Sequence, residues 1–416
     1  MSNLHVAFVG LGYIGLPTAV VLANSGVNVT GIDVNAANVE RINRGEVTIV
    51  EPGLQEELTQ ALESGRFRAT TKQVHANAYI IAVPTPFTDT HDVDMKFIYS
   101  ATESIAPQLE GDELVVLEST SPPQTTAKMA KRLLELRPDL AADGTENPDN
   151  KPVIYFAHCP ERILPGYAMK ELRTNDRIIG GQTPEATKRA TEIYSAFCDG
   201  ELLATNDVTA EMAKLTENSF RDVNIAFANE LSLICDKLGI DVWELIALAN
   251  HHPRVNILQP GPGVGGHCIA VDPWFIVAAD PENSKLIHTA RNINDGKPTW
   301  VFEKVKKAVT DTNASKIAVL GLAFKADIDD LRESPALSIA VNLAEELEDK
   351  TIFAVEPNVS ELPKRLKGFE NVELRDYQAA IAAADVVLLL VDHKEFRSMD
   401  TAVLDGKIVI DTKGLF

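Results

Sequence analysis

The chain is predicted to be an α/β protein in which two Rossmann-like parallel-sheet domains are joined by a helical middle domain with a long central helix. Three observations predict this. Short β-rich runs alternate with amphipathic segments over the first third, the rhythm that places helices over a parallel sheet. The pattern then turns helical for some thirty residues without proline or glycine, and strand rhythm returns near the end. At 416 residues the chain is also too long for one core.

In order, His5–Val9, Val27–Ile32, Tyr79–Val83, Glu113–Leu117 and Val153–Phe156 read as strands because each is a short apolar run bounded by turn residues. "DLAADGTENPDNK", Asp139–Lys151, has the composition of a surface excursion. Asp207–Leu238 reads as one long helix and Val242–Asn250 as a second. Lys316–Gly321, Thr351–Pro357, Asp385–Asp392 and Lys407–Gly414 form the second set of strands. The domain boundaries expected from this are 1–205 for the first Rossmann-like domain, 206–305 for a helical middle domain and 306–416 for the second Rossmann-like domain.

Composition narrows the partners. Thirty-nine Lys and Arg face 60 Asp and Glu, and a net charge of −21 argues against nucleic acid or an anionic membrane as partner. No stretch approaches the ~18 to 20 apolar residues of a membrane span, and the N-terminus lacks a secretory pattern. The four cysteines are widely spaced with no CxxC pair, which fits neither a disulfide framework nor a zinc site, so no metal is expected and a cytoplasmic setting is.

"HVAFVGLGYIGLP" sets Gly10, Gly12 and Gly15 between a strand and a helix, and Asp33 closes the next strand 18 residues beyond Gly15. Glycines allow the turn and the approach of a pyrophosphate to the helix N-terminus, while Asp33 accepts from a ribose 2′-hydroxyl and repels a 2′-phosphate. The expected cofactor is NAD, not NADP. "VPTP", containing Thr85, and "EST", containing Thr120, each end a strand; either alone reads equally as an ordinary turn, and together with the glycine loop they outline one crevice. Lys214 and Asn218 are four residues apart on the long helix, a solvated face unless a nearby reaction needs oxyanion donors.

"GPGVGGHCIAVDPW" supplies that reaction. Cys268 follows Gly263, Gly265, Gly266 and His267 and precedes Asp272 by four residues. A buried thiol is the commonest fate of a free cysteine, but this loop is no setting for a core strand, and a nucleophile is the alternative. Cys198 and Cys235 sit in apolar or helical patterns and read as structural, as does Cys159 beside "PER". In "GLAFKADIDDLRESPA", Lys325 and Arg332 lie between a strand and a helix, either solvated or holding a second anionic ligand.

In this order the motifs, with "KLTENSFRDVNIAFANEL", resemble the UDP-glucose/GDP-mannose dehydrogenase superfamily across essentially the whole chain. The wording of the cysteine loop and long helix is most similar to its bacterial UDP-N-acetylmannosamine branch. The resemblance implies that 1–205 binds NAD, 206–305 forms a dimer and 306–416 binds the UDP-sugar. The resemblance implies Cys268 as nucleophile, Lys214, Asn218, Asp272, Glu161 and Thr120 as its catalytic companions, and cofactor contacts at Gly10, Gly12, Tyr13, Ile14, Gly15, Asp33, Thr85, Thr120 and Arg332. It places substrate contacts at Glu161, Arg162, Lys214, Asn218, Gly265, Phe324, Lys325 and Arg254, the last given by a neighbouring subunit of a homodimer or higher oligomer. The second glutamate that UDP-glucose enzymes carry four residues beyond the first is replaced here by Pro165.

The implied reaction is a four-electron, NAD-dependent oxidation of the C6 hydroxyl of a UDP-N-acetylhexosamine through a cysteine thiohemiacetal and thioester. The alternatives are a UDP-N-acetylglucosamine or UDP-glucose enzyme, a one-step alcohol dehydrogenase, and a non-catalytic sensor of NAD or nucleotide sugars. Two NADH per sugar, one, or none distinguish the chemistries.

Overall fold

The computed structural model describes residues 4–47, 49, 51–88, 92–164, 166–266 and 268–416, so Pro165 and His267 lie outside the described residues. The chain divides into two units, Met1–Thr216 and Glu217–Phe416, with the division inside the helix Asp207–Leu238.

In the first unit the strands are β1 (His5–Val9), β2 (Asn28–Ile32), β3 (Phe67–Thr70), β4 (Ala78–Ile81), β5 (Leu114–Leu117), β6 (Ala141–Ala142), β7 (Val153–His158), β8 (Arg177–Gly181) and β9 (Leu202–Asn206). Their order is β3-β2-β1-β4-β5-β7-β8-β9, with β6 beside β7. β1 pairs in parallel with both β2 and β4, which makes the space between β1 and β4 the switch point where a doubly wound sheet opens a crevice at its carboxyl edge. Each strand feeds two cores: Val6 and Phe8 of β1 pack on one face, Ala7 and Val9 on the other. Burial on both faces explains why these strands read as continuous apolar runs.

The first sheet is parallel except at one pairing: β8 runs antiparallel to β7 through Ala157–Gly181 and His158–Gly180, and β9 follows β8 in parallel. The sequence hides this turn of direction. β8 reads "RIIGG", and an added Cβ on Gly180 would lie 2.5 Å from the Asn206 carbonyl oxygen, so the strand is made by close backbone approach and not by side-chain pattern.

The second unit carries β10 (Lys316–Leu320), β11 (Thr351–Val355), β12 (Val372–Leu374), β13 (Val386–Leu389) and β14 (Ile408–Asp411) in the order β12-β11-β10-β13-β14, all parallel. Ile317 and Val319 face one core, Ala318 and Leu320 the other. The long helix spans Asp207–Leu238 as read from the sequence, since nothing in those residues breaks it, and a second helix runs Val242–Ala249. Among the described residues no helix is long and apolar enough to cross a membrane.

Candidate active site

At the carboxyl edge of the first sheet the three glycines do different things. An added Cβ on Gly10, at φ +97°, would lie 2.3 Å from the Ala82 carbonyl oxygen, and one on Gly15 would lie 1.9 Å from that of Gly10. Both positions therefore need glycine for backbone packing. Gly12 has nothing within 4 Å, so the open space over the turn lies there. The helix Gly15–Asn24 begins at Ile14 without a side-chain cap; the Leu16 N–H donates to the Gly12 carbonyl at 3.1 Å and Pro17 has no N–H, so what the helix offers an anion is the positive end of its dipole beside the glycine turn. Asp33 accepts from the Leu11 N–H at 3.0 Å and the Asn35 N–H at 2.8 Å, which pins a half-buried carboxylate beside the glycine turn. These features fit a dinucleotide.

The two strand-ending turns are joined. Thr85 Oγ1 donates to the Thr120 carbonyl at 2.7 Å, and the Val83 N–H donates to Ser119 Oγ at 2.9 Å. Tyr13 reaches Glu51, whose carboxylate also accepts from the Gly166 and Ala168 N–H groups. Behind "EST" lies a buried cluster that the sequence reading missed. Arg177 donates to Glu161 at 2.5 Å and stands 3.7 Å from Glu118, which in turn accepts from Tyr194 at 3.1 Å. Burial pushes the Glu118 carboxyl up to about 8, the Glu161 charge adds to the shift, and Arg177 opposes it. Glu161 also accepts from the Arg162 and Ile163 N–H groups, so its carboxylate is held from three directions. The Arg162 side chain donates to the Asp176 carbonyl at 2.9 Å. Cys159 is buried against this cluster and burial drives its thiol far up, as a structural cysteine requires.

On the long helix, Glu211 accepts from the Gln124 and Thr126 N–H groups and from the Thr126 hydroxyl, docking that helix one turn before the half-buried Lys214. Within the second unit, Asn218 Nδ2 donates to Asp272 Oδ2 at 2.5 Å. Asp272 is 3% exposed at the start of the helix Asp272–Ala279, and its N–H donates to the Cys268 carbonyl at 2.9 Å. Cys268 itself is exposed, unlike Cys159, Cys198 and Cys235, all of which are buried. The fold thus gathers Asn218, Cys268 and Asp272, and an exposed thiol beside a buried carboxylate suits covalent catalysis followed by hydrolysis.

The loop leading to Cys268 forms one wall of a cavity of about 430 Å³ whose other lining includes Phe324, Lys325, Ile225 and Lys413. Loop and wall meet by backbone approach: an added Cβ on Gly265 would lie 2.5 Å from the Glu333 carbonyl oxygen and 3.1 Å from Phe324 Cβ. Lys325 is exposed, and Lys413 pairs with Asp392 at 3.2 Å. Lys413 was not singled out from "KIVIDTKG"; its place just after a strand, at the sheet edge where ligands bind, was the available signal. The loop is tethered through the buried chain Arg291–Asp222–Asn294–Asn229, which ends with Asn229 Oδ1 accepting from the Gly261 N–H at 2.9 Å. Arg332 pairs with Asp330 at 2.6 Å and Arg254 is exposed after the helix Val242–Ala249; neither lines this cavity.

Comparison with known proteins gives the family. Models of the UDP-glucose/GDP-mannose dehydrogenase family match residues 4–198 (NAD binding domain), 208–296 (central domain) and 318–416 (UDP binding domain). The chain is 55% identical to the UDP-N-acetyl-D-mannosamine dehydrogenase of Yersinia pestis, covering 100% of each. It is 52% identical to the NDP-N-acetyl-D-galactosaminuronic acid dehydrogenase of Ralstonia nicotianae, covering 99% of this chain and 96% of that protein. A structure of the UDP-N-acetyl-mannosamine dehydrogenase Cap5O from S. aureus superposes with a TM-score of 0.85 at 41% identity, covering 99% of this chain and 95% of that one.

Proposed function

This chain belongs to the UDP-glucose/GDP-mannose dehydrogenase family, and we propose that its reaction is the oxidation of UDP-N-acetylmannosamine to UDP-N-acetylmannosaminuronate. The observation that carries the chemistry is the exposed Cys268 thiol, joined through one turn to the buried Asp272 that binds Asn218.

The Gly12 turn and Asp33 would hold NAD, which would supply the hydride acceptor for each of the two oxidations. Water held by Asp272 or Lys214 takes the proton of the C6 hydroxyl. Cys268 then attacks the aldehyde, giving a thiohemiacetal whose oxidation leaves a thioester on its sulfur. The amide nitrogen of Asn218 has two hydrogens, so the bond to Asp272 leaves one to donate to the oxyanion, with the Lys214 ammonium as second donor. Asp272 orients the water that hydrolyses the thioester. Glu161 is assigned to the same water and Thr120 to the active-site hydroxyl, both on their match to the family motifs. Phe324, Lys325 and the loop around Gly265 hold the UDP-sugar, and Arg162, Arg254 and Arg332 keep the roles their motifs give them.

The three domains are read as 1–205, 206–305 and 306–416. The oligomer is read as a homodimer: Phe220, Phe227 and Ile234, seven residues apart on the long helix, are 69%, 51% and 45% exposed, an apolar stripe that suits the same stripe of a second copy. Sedimentation should give twice the chain mass. Four free cysteines suit a reducing cytoplasm.

The relative from Yersinia pestis is named for an N-acetylated hexosamine and that from Ralstonia nicotianae for an N-acetylated hexosaminuronic acid, so the acetamido group is the element the two names share. A pocket that hydrogen-bonds the acetamido group leaves its own polar groups unpaired on a sugar lacking it, so UDP-glucose should be used at least ~100-fold less efficiently. Comparing kcat/KM for UDP-N-acetylmannosamine, UDP-N-acetylglucosamine, UDP-N-acetylgalactosamine and UDP-glucose tests this. A preference for any sugar but the first overturns the assignment.

A further inference from the structure

The two sheets begin alike. After β1, the Gly10 N–H donates to the Ile32 carbonyl at 2.8 Å and the Leu11 N–H to Asp33 at 3.0 Å; after β10, the Gly321 N–H donates to the Val355 carbonyl at 2.8 Å and the Leu322 N–H to Glu356 at 2.8 Å. Glu356 therefore stands in the second sheet where the ribose acceptor stands in the first. The surroundings then part. Asp33 is half-buried next to Val34, which is 98% exposed, whereas Glu356 is 3% exposed and covered by His393, itself fully buried.

His393 uses both ring nitrogens. Nε2 lies 3.0 Å from Glu356 Oε2, and Nδ1 lies 2.9 Å from the Asp327 backbone nitrogen. A backbone N–H can only donate, so Nδ1 must carry the lone pair, and Nε2 then carries the hydrogen given to Glu356. The same Glu356 oxygen accepts from the Ala323 N–H at 3.0 Å. Burial alone would raise the Glu356 carboxyl, but the His393 and backbone hydrogen bonds hold it below its ordinary value. At the far end Asp327 sits at φ +62°, and its carboxylate accepts from the Lys394 N–H at 2.8 Å and pairs with Arg397 at 2.5 Å. One carboxylate–imidazole pair thus fastens both ends of the segment from Leu322 to Asp327, and Phe324 and Lys325 lie between the fastenings.

We propose that Glu356 and His393 are positioning residues that clamp the Leu322–Asp327 segment, and through Phe324 and Lys325 set the affinity of the cavity for the UDP-sugar. The proposal rests on the reading of that cavity as the UDP-sugar site. Two substitutions separate the two bonds. In His393→Gln the longer amide can still donate to Glu356 but leaves the Asp327 N–H without its acceptor, and in His393→Asn the shorter amide can still accept from Asp327.

His393→Gln should raise the KM for the UDP-sugar about tenfold or more, as loss of a buried acceptor does, with kcat and the KM for NAD within about twofold of wild type. His393→Asn should recover most of the loss. An unchanged UDP-sugar KM in His393→Gln, a parallel rise for NAD, or no recovery in His393→Asn overturns the clamp. Should the variants fail to fold, hydrogen exchange on the wild-type full chain decides: the Leu322, Ala323 and Asp327 amides should be protected without ligand, and exchange at loop rates would contradict the proposal. Lys325→Ala keeps the two readings apart. If it leaves the UDP-sugar KM unchanged, the cavity reading fails; if it raises that KM while His393→Gln does not, the clamp alone fails.

Discussion

Replacing Cys268 by serine is expected to stop release of the uronic acid while leaving NAD and UDP-sugar affinity close to wild type. The side chain is exposed, so exchanging sulfur for oxygen removes no packing, and the variant should fold normally. Chemistry suffers in both halves of the second oxidation. A serine hydroxyl attacks the aldehyde poorly without a dedicated base, and an oxygen ester hydrolyses more slowly than a thioester. Overall turnover should fall at least about a thousandfold, the order lost when a nucleophile that works as part of a set is removed. Mass spectrometry of the quenched variant should show either no adduct or a stable ester on residue 268. Near-wild-type uronate release from Cys268→Ser would rule out the covalent route.

Gly265→Ala is expected to raise the KM for the UDP-sugar about a hundredfold without disturbing NAD. An added Cβ would lie 2.5 Å from the Glu333 carbonyl oxygen, 2.6 Å from Pro335 Cδ and 3.1 Å from Phe324 Cβ, so something must move. The neighbours are poorly placed to do so. Pro335 opens a helix capped by Ser334, whose Oγ donates to the Leu322 carbonyl at 2.7 Å and accepts from the Leu337 N–H at 3.2 Å. The loop cannot retreat upstream either, because Asn229 holds the Gly261 N–H and an added Cβ on Gly263 would already be 3.0 Å from Pro298. Overpacking of this kind costs about 1–3 kcal/mol, and the displacement falls on the wall that contacts substrate. Steady-state kinetics with each substrate varied in turn checks it; an unchanged UDP-sugar KM would show that the loop–Phe324 contact does not shape the site.

What the sequence displayed and what it hid follow from how far apart the partners lie. The helix Asp207–Leu238 was legible to the residue because 32 positions pass without glycine or proline, and β1 and β10 were legible because burial on both faces makes an unbroken apolar run. β9, "LLATN", and β12, "VEL", were not, since both are edge strands, partly exposed and mixed in polarity. The glycine turn and the Cys268–Asp272 turn are local, so spacing alone exposed them. Glu118, Glu161 and Arg177 come together only because the segments ending β5 and β7 meet the start of β8, and no period or motif links them. Glu356 and His393 are hidden in the same way, since Glu356 follows β11 and His393 lies beyond β13, two strands that flank β10 in the sheet. Cofactor chemistry was therefore readable from one stretch of chain, while the groups that hold the site in shape required the fold.

One chain is expected to remove four electrons from one carbon, with Cys268 retaining the intermediate between the two steps. The most direct measurement is NADH formed per uronic acid released in a single reaction of purified enzyme with limiting UDP-N-acetylmannosamine and excess NAD, run with an aldehyde trap present. Two NADH per uronate and no trapped aldehyde are expected; one NADH per sugar, with free aldehyde accumulating in the trap, would contradict the covalent four-electron route.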